Sequence, residues 1–310
     1  MGAPGRDVLG VELVQAGAPR ERRLPRHAGR HVLIVPALAV LVVFFVLPYL
    51  NLTLISLMTP SHRAPYVRVL TLGNYTTLLR DPFTWQVIWH TLWIGVVTTA
   101  VCLVISYPLA YHLARAPRRL RGLFMILVIS PLLVGVLIRT YGWMILLQDT
   151  GLINQTLRAL HLPAAPLMYN NTGVLIGLVH VFVPFMVLSI AGTIQTIDPE
   201  LEFAARSLGA GAWRTFRRVV LPLSLPGVLA GTVLVFVLTI SSYVIPSLLG
   251  GFTVLTVPLL VVRTVTELFN WPGGSAFAIL FFVITLVVVG LYVRAMGRGA
   301  GQLPDQGDDR

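Results

Sequence analysis

Long apolar runs without acidic residues recur along this chain, separated by arginine-rich stretches or by segments rich in glycine, proline and asparagine. Each run is long enough for a helix to cross the hydrocarbon core of a bilayer, which takes about 20 residues. Six runs can be distinguished, at 32–58, 87–113, 123–147, 173–195, 223–249 and 275–295. The pattern predicts an all-α membrane protein with six transmembrane helices and both termini on one side.

The composition supports the membrane class, because 56% of the 310 residues are hydrophobic and only 11% are charged. Several of the runs contain proline, at positions 48, 108, 131, 184 and 246. Membrane helices tolerate proline when neighbouring groups satisfy the freed carbonyls, so we expect kinks at these positions and not breaks. GxxxG spacings at Gly173–Gly177 and Gly227–Gly231 would allow helices to approach closely.

The arginines are distributed unevenly between the two sides of the predicted bundle. The chain has 23 basic residues and no lysine. Seventeen of the arginines lie in the two terminal segments and in the connections after the second and fourth runs. By the positive-inside rule, these segments are cytoplasmic. We therefore expect a cytoplasmic basic tail at 1–30, a six-span permease domain at 31–296 and a cytoplasmic tail at 297–310.

Other functional classes find little support in the residue pattern. The arginines alternate with membrane runs and form no single basic face, which argues against a nucleic-acid partner. The histidines and the one cysteine show no metal-ligand spacing, and no serine lies in a nucleophile motif. We expect no catalytic residue, no metal site and no cofactor in this chain. The connections at 59–84 and 148–172 are predicted to carry short interfacial helices.

The connection between the fourth and fifth runs, residues 198–222, combines a short predicted helix with a glycine turn. Asp198 followed by Pro199 is typical of a helix start, and Gly209 is placed to end the helix. A narrow apolar face is predicted for Leu201, Ala204, Ala205 and Leu208. A second short helix is predicted after the Gly209-Ala210-Gly211 turn, lying at the lipid surface. Lipid headgroup binding by its arginines is the simplest interpretation of this amphipathic stretch.

The order of residues in this connection favours a more specific interpretation. It contains Phe203-Ala204-Ala205, then three residues, Gly209, nine residues, and Val219-Val220-Leu221-Pro222. This order resembles the Glu-Ala-Ala loop shared by the membrane subunits of binding-protein-dependent ABC importers. The resemblance implies a coupling helix that contacts a separate ATPase subunit. The coupling residues it implies are Glu202, Phe203, Ala204, Ala205, Gly209, Leu221 and Pro222.

Phe203 departs from the family pattern, because it occupies the position where the family usually has glutamate. Glu202 is one residue earlier and therefore about 100° around the helix, so it does not simply replace the missing carboxylate. Phe203 lies off the apolar face. It either anchors the helix in an apolar pocket of the partner or dips into lipid.

The resemblance covers nearly the whole chain after residue 30 and is strongest to spermidine/putrescine-type permeases. It rests on three stretches, LTLGNYTTLL at 70–79, IRTYGWMILLQDTGLINQ at 138–155 and YVIPSLLGG at 243–251. It implies a multi-pass protein of the bacterial inner membrane that works with an extracytoplasmic binding protein, a second permease subunit and two copies of the ATPase. ATP and Mg²⁺ would be bound by the ATPase. Importers of ferric iron, phosphonate or organic acids share parts of the pattern and remain alternatives.

Candidates for the translocation path follow from the polar and aromatic residues near the spans. They are Arg139, Tyr141, Trp143, Asp149, Ser242 and Tyr243. Aromatic faces attract cations. Arg139 either lines the path, where it would repel or orient cations, or has a structural role, in which its side chain extends outward to the membrane surface or bonds to backbone carbonyls of a neighbouring helix. A secondary carrier is the more distant functional alternative. It would show charged or discontinuous helices for coupling ions near the membrane midplane, often in inverted repeats, and the sequence predicts neither arrangement.

Overall fold

The computed structural model describes residues 35–300 apart from positions 37, 62 and 63, and the side chains of 35–295 within that range. The predicted tail at 1–30 lies outside the described residues. So does the predicted tail at 297–310, except for the helical backbone up to residue 300. The chain divides into two compact units between Leu50 and Asn51.

The first helix, α1, covers Leu38–Ser56 and crosses this division. It includes a π-helical stretch at Val42–Val46. With 19 residues and a mean hydropathy of 2.5, α1 is long and apolar enough to span a membrane. It corresponds to the first predicted run.

The second unit begins with a small antiparallel hairpin, which the apolar pattern did not predict. It pairs β1, Met58–Thr59, with β2, Val67–Leu70. Eleven helices follow within the described residues. They are α2 at Gly73–Arg80, α3 at Pro82–Arg115, α4 at Arg118–Leu133, α5 at Val136–Leu147, α6 at Leu152–Ala159, α7 at Asn171–Thr196, α8 at Pro199–Ser207, α9 at Ala212–Ile240, α10 at Pro246–Gly250, α11 at Val257–Thr266 and α12 at Trp271–Ala300. The short helices α2 and α6 confirm the helices predicted in the two long connections.

The helices account for the six predicted spans, with a correction at the third. Within the described residues five helices are long and apolar enough to cross a membrane, namely α1, α3, α7, α9 and α12. The predicted span at 123–147 is instead a pair of helices, α4 and the α5–α6 arm, which meet at an angle of 91°. Counted as one broken span, the pair is the sixth.

Two of the prolines lie near breaks in the helices. Pro131 lies in the last turn of α4, two residues before the helix ends, and Pro246 starts the short π-helix α10, which follows the break at 241–243. Breaks therefore occur near both positions, where only kinks were expected. The predicted fifth span likewise ends at Ile240 and does not continue to 249. Pro108 and Pro184, by contrast, lie inside continuous helices, as predicted.

The core of the second unit lies where α3, α7 and α9 pack against one another. Its fully buried side chains include Cys102, Leu178, Met186, Ile190 and Val235. The predicted close approach at Gly227 and Gly231 is confirmed, because a Cβ at Gly231 would come within 2.8 Å of the Met186 sulfur. Ser189 donates to the Gly227 carbonyl across the same contact, at 3.0 Å. Small residues therefore allow the backbones of α7 and α9 to lie close together.

Candidate functional site

The connection 198–222 begins with the helix predicted from its sequence. Asp198 caps α8, and its Oδ1 accepts a hydrogen bond from the Glu200 amide at 2.9 Å. The helix ends at Ser207, and Gly209 follows with φ of +84°. A left-handed backbone of this kind is costly for residues that have a Cβ, which explains the glycine. The predicted start and stop of the helix are confirmed.

The outward side of this connection is unusually apolar. Phe203 is 65% exposed, Leu208 89% and Trp213 72%, and Leu201 and Ala204 are exposed beside them along the chain. We call these five residues the docking surface. Several large exposed apolar residues on one short segment make this connection a candidate interaction site. Leu201, Ala204 and Leu208 of the predicted apolar face thus point away from the core of the chain.

Glu202 faces the opposite way and is only 7% exposed. Its Oε1 lies 2.8 Å from Nε and 2.7 Å from Nη2 of Arg115, and its Oε2 accepts a hydrogen bond from the Tyr111 hydroxyl at 2.7 Å. A carboxylate held in this way cannot be offered to a partner at the surface. Glu202 is therefore buried against α3 and is not one of the exposed residues of the docking surface.

The second arm of the connection differs from its prediction. No separate short helix lies there; residues Ala212–Ile240 form the continuous helix α9. A π-helical stretch at Phe216–Val220 precedes Pro222. Because proline lacks an amide donor and its ring clashes with the carbonyl four residues earlier, a wider turn at this point lets the helix pass through it. Leu221 and Pro222 are thus located within α9, with Leu221 half-buried and Pro222 exposed.

Three side chains on the last turns of α3 contact this connection. Tyr107, Tyr111 and Arg115 are spaced at i, i+4 and i+8 and so lie along one face of the helix. The Tyr107 hydroxyl is 2.7 Å from Ser224 Oγ on α9, and its ring meets Phe216 edge-on. The sequence analysis missed all three residues, although their four-residue spacing was a visible signal.

The candidate path residues fall on two segments that contact each other. Arg139, Tyr141 and Trp143 lie on α5, which packs against α10, and Ser242 and Tyr243 lie in the break between α9 and α10. Tyr141 and Tyr243 are exposed. Asp149 is exposed in the turn that follows α5. The structure therefore places α5 against the helix that follows the 241–243 break, and Asp149 lies two residues after α5.

Part of the Arg139 guanidinium group is buried without a hydrogen bond within the described residues. Its Nε and Nη1 atoms are buried, and neither has a hydrogen-bond partner among the described residues. Nδ1 of His180 is likewise without a partner there, and the His180 ring meets Trp143 edge-on at 5.4 Å. Trp143 and His180 line an apolar cavity of about 600 Å³ between α3, α4 and α7. The expected bonds from the Arg139 Nε and Nη1 atoms to neighbouring carbonyls are not formed within the described part of the chain.

Comparison with known protein families agrees with this architecture. Residues 103–300 match the family described as the inner membrane component of binding-protein-dependent transport systems. This match covers well over half of the chain. The chain belongs to this family. It is thus an inner-membrane permease component, and the matched region includes α7, the connection 198–222 and α9.

Curated relatives of this permease component cover most of its length. It is 35% identical over 265 residues to the spermidine/putrescine transport system permease protein PotB of Escherichia coli (strain K12), covering 85% of this chain and 96% of that one. The same protein of Haemophilus influenzae is 35% identical, with 82% and 90% covered. The inner membrane ABC transporter permease protein YdcU of Escherichia coli (strain K12) is 28% identical, with 74% and 76% covered.

A solved structure supports the fold. A bacterial alginate ABC transporter, crystallised in complex with an alginate pentasaccharide-bound periplasmic protein, contains a chain that superposes on this permease component with a TM-score of 0.74. The superposition covers 88% of this chain and 95% of that one at 16% sequence identity. At this identity the likeness establishes the permease fold and carries no information about the solute.

Proposed function

We propose that this chain is one transmembrane subunit of an ATP-driven importer that takes up a polyamine such as spermidine or putrescine. The single observation that carries the proposal is the 35% identity to PotB, which extends over 85% of this chain and 96% of PotB. A relationship that extends over most of both chains supports the same transport role more strongly than a shared motif. The solute is assigned here by this relationship.

The proposed partners are two copies of an ABC ATPase, a second permease subunit and an extracytoplasmic binding protein that delivers the solute. The chain itself catalyses no covalent step. It has no lysine, so it cannot form the GxxxxGK[ST] loop that cradles nucleotide phosphates. ATP and Mg²⁺ are therefore assigned to the ATPase. The distribution of arginines supports cytoplasmic termini and a cytoplasmic connection 198–222.

The docking surface is the proposed contact with the ATPase. Phe203, Leu208 and Trp213 provide large apolar side chains that a partner cleft can bury, the role that aromatic anchors have in interfaces. ATP binding closes the ATPase dimer, α8 moves with it, and the spans exchange an inward-open for an outward-open arrangement. Because α8 connects to α7 and α9, its motion reaches two core helices directly.

The proposed path uses α5 and the break at 241–243. Tyr141, Trp143 and Tyr243 offer aromatic faces, and Ser242 offers a hydroxyl, to a passing ammonium group. Asp149 provides an exposed carboxylate two residues after α5. A flexible polycation that passes such groups one at a time would not need a single deep site.

Arg139 favours a second candidate, an importer of the same type for an anionic solute such as a phosphonate or an organic acid. Its Nε and Nη1 atoms lack partners among the described residues, and a guanidinium is a strong ligand for carboxylate and phosphonate oxygens. Under this alternative Arg139 would hold the solute within the path. The alternative shares the ATPase and the docking surface with the polyamine importer.

The binding protein that works with this permease separates the two candidates. We would purify it and measure its thermal stability with spermidine, putrescine, a ferric complex, a phosphonate and a dicarboxylic acid. We expect only the polyamines to raise the melting temperature. The assembled transporter in liposomes should then take up labelled spermidine only when ATP and the binding protein are present. Stabilisation by an anion alone would replace the polyamine with the anionic candidate.

A further inference from the structure

The cytoplasmic end of α3 is joined to α8 by an ionic contact between residues 87 positions apart. Arg115 is the last residue of α3, and Glu202 lies in the middle of α8. Nε and Nη2 of Arg115 face one carboxylate oxygen at 2.8 and 2.7 Å, while Tyr111 binds the other oxygen at 2.7 Å. Both oxygens of Glu202 are therefore occupied by groups of α3.

Arg115 also holds the segment that leads into α8. Its Nη1 donates to the carbonyl of Ile197 at 3.0 Å, directly after the end of α7. One guanidinium thus binds the end of α7 and the middle of α8 together. We call Tyr111, Arg115, Glu202 and the Ile197 carbonyl the α3 clamp.

Without the clamp, α8 would be held by its contacts with the first turns of α9 and by its two chain connections. On one side this is the junction at Ile197–Asp198, and on the other it is Gly209-Ala210-Gly211. Glycines on either side of an alanine give that turn a wide range of backbone conformations. A helix held by such connections can pivot while the spans stay in place.

The burial of Glu202 makes its loss consequential. The side chains of Arg115 and Glu202 are 19% and 9% exposed, so water screens their interaction only in part. Removing one member of such a pair leaves the other charge uncompensated, which disrupts the geometry more than the pair itself stabilises the fold. The pair therefore defines one relative position of α8 and α3.

We infer that the α3 clamp transmits the movement of α8 to α3, so that Arg115, Tyr111 and Glu202 are positioning residues that couple ATP hydrolysis to transport. This inference rests on the proposed function, in which α8 is driven by the ATPase. Glu202 of the clamp faces α3, whereas the Leu201, Ala204 and Leu208 side chains of the docking surface are exposed on the rest of α8 and at its end. The ATPase pulls on these exposed side chains, and the Glu202 carboxylate carries the displacement to a span.

The test uses the complete transporter in liposomes, with its ATPase, second permease subunit and binding protein, and with labelled spermidine as the probe. Glu202→Gln and Arg115→Gln remove one charge each. In both variants we expect normal co-purification of the ATPase and a fall of about tenfold in spermidine transported per ATP hydrolysed, a size that coupling between contacting residues can produce. Glu200→Gln and Arg118→Gln are matched controls, because both residues are exposed; Glu200 lies on α8, and Arg118 begins α4, three residues after Arg115.

A double variant shows whether Glu202 and Arg115 act together as one clamp or contribute two independent effects. If Glu202 and Arg115 act as one unit, Glu202→Gln combined with Arg115→Gln lowers the transport ratio no further than either single variant. Should the charge variants fail to accumulate in the membrane, Tyr111→Phe removes one hydroxyl from the same carboxylate and keeps the ring. We expect this variant to lower the transport ratio in the same direction.

Two results would overturn the inference. One is an unchanged amount of spermidine per ATP in the Glu202, Arg115 and Tyr111 variants. The other is loss of ATPase co-purification with an unchanged ratio in the complex that remains, which would limit the pair to shaping the docking surface. Wild-type protein tests the proposed function separately, because it must bind the ATPase and transport spermidine whatever the variants do.

Discussion

His90 and Asn171 join α3 to the start of α7, with His90 Nε2 lying 3.0 Å from Asn171 Oδ1. The other ring nitrogen, Nδ1, is 2.9 Å from the carbonyl of Leu255, just before α11. In the next residue, Thr91, the hydroxyl oxygen accepts a bond from the amide of Val257. Three segments are therefore tied together at the end of α3 remote from the α3 clamp.

We expect His90→Leu to lower the free energy of unfolding by about 1–3 kcal/mol, because it leaves the Leu255 carbonyl and the Asn171 amide without their partner. Thermal unfolding of the purified protein in detergent measures this change. His112→Leu is the control, since His112 is exposed near the other end of the same helix. Equal melting temperatures for the two variants would show that the His90 contacts contribute nothing to stability.

Gly177 and Gly192 offer a matched pair on α7. A Cβ at Gly177 would lie 2.5 Å from Leu249 Cδ1 and 2.9 Å from Ile245 Cγ2, whereas a Cβ at Gly192 would meet nothing within 4 Å. We expect Gly177→Ala to destabilise the protein by about 1–3 kcal/mol through overpacking. Gly192→Ala should be neutral or slightly stabilising, because alanine is the better helix former. The two melting curves decide the prediction, and it fails if they coincide.

A substitution of Phe203 tests whether the docking surface binds the ATPase. Phe203→Asp replaces an exposed anchor with a charge and should weaken binding of the ATPase by about 10- to 100-fold, the range of interface hot spots. Co-purification of the ATPase and its titration against the permease in detergent provide the measurement. Arg118→Gln serves as the control. Unchanged ATPase recovery, with reduced association of the permease with lipid, would support the interpretation that Phe203 dips into the membrane.

Replacing Arg139 is expected to raise the stability of the protein, in contrast to the substitutions of His90 and Gly177. Because its Nε and Nη1 atoms are buried without partners in the described part of the chain, Arg139→Met should raise the stability of the isolated permease by about 1–3 kcal/mol. Arg158→Met, at an exposed position on α6, should leave the melting temperature unchanged. A lower melting temperature for Arg139→Met would reveal an acceptor that compensates the charge. Uptake assays on the same variant show whether the charge opposes spermidine or is needed for an anion.

Local chemistry was predictable from the sequence and long-range contacts were not. Asp198, Pro199 and Gly209 fix the ends of α8 through interactions within a few residues, and the structure confirms them. Hydropathy located the spans because it depends only on composition within a window. It could not show that the third run bends by 91°, since an apolar run looks the same whether it continues straight or turns.

The direction in which the Glu202 side chain points could not be predicted from the sequence either. Its position one residue before Phe203 established that the two side chains diverge, which the structure bears out. Which of them faces the spans depends on Arg115, whose proximity no local pattern encodes. The apolar face of α8 was found correctly, but apolar residues usually face a core. Here the core side is taken by a carboxylate with two partners from α3, so the apolar side is left outward.

The π-helical stretch at Phe216–Val220 sets the angular phase between the two ends of α9. Each residue of an α-helix is rotated by about 100° from the one before it. A π turn accommodates one additional residue, so it changes the directions in which side chains before and after it point relative to each other. Trp213 therefore emerges on the outward side while Ser224 faces Tyr107. The number of residues between Gly209 and Pro222 acts as a constraint of its own, because gaining or losing one would turn Trp213 to another side of α9 even if every side chain were kept.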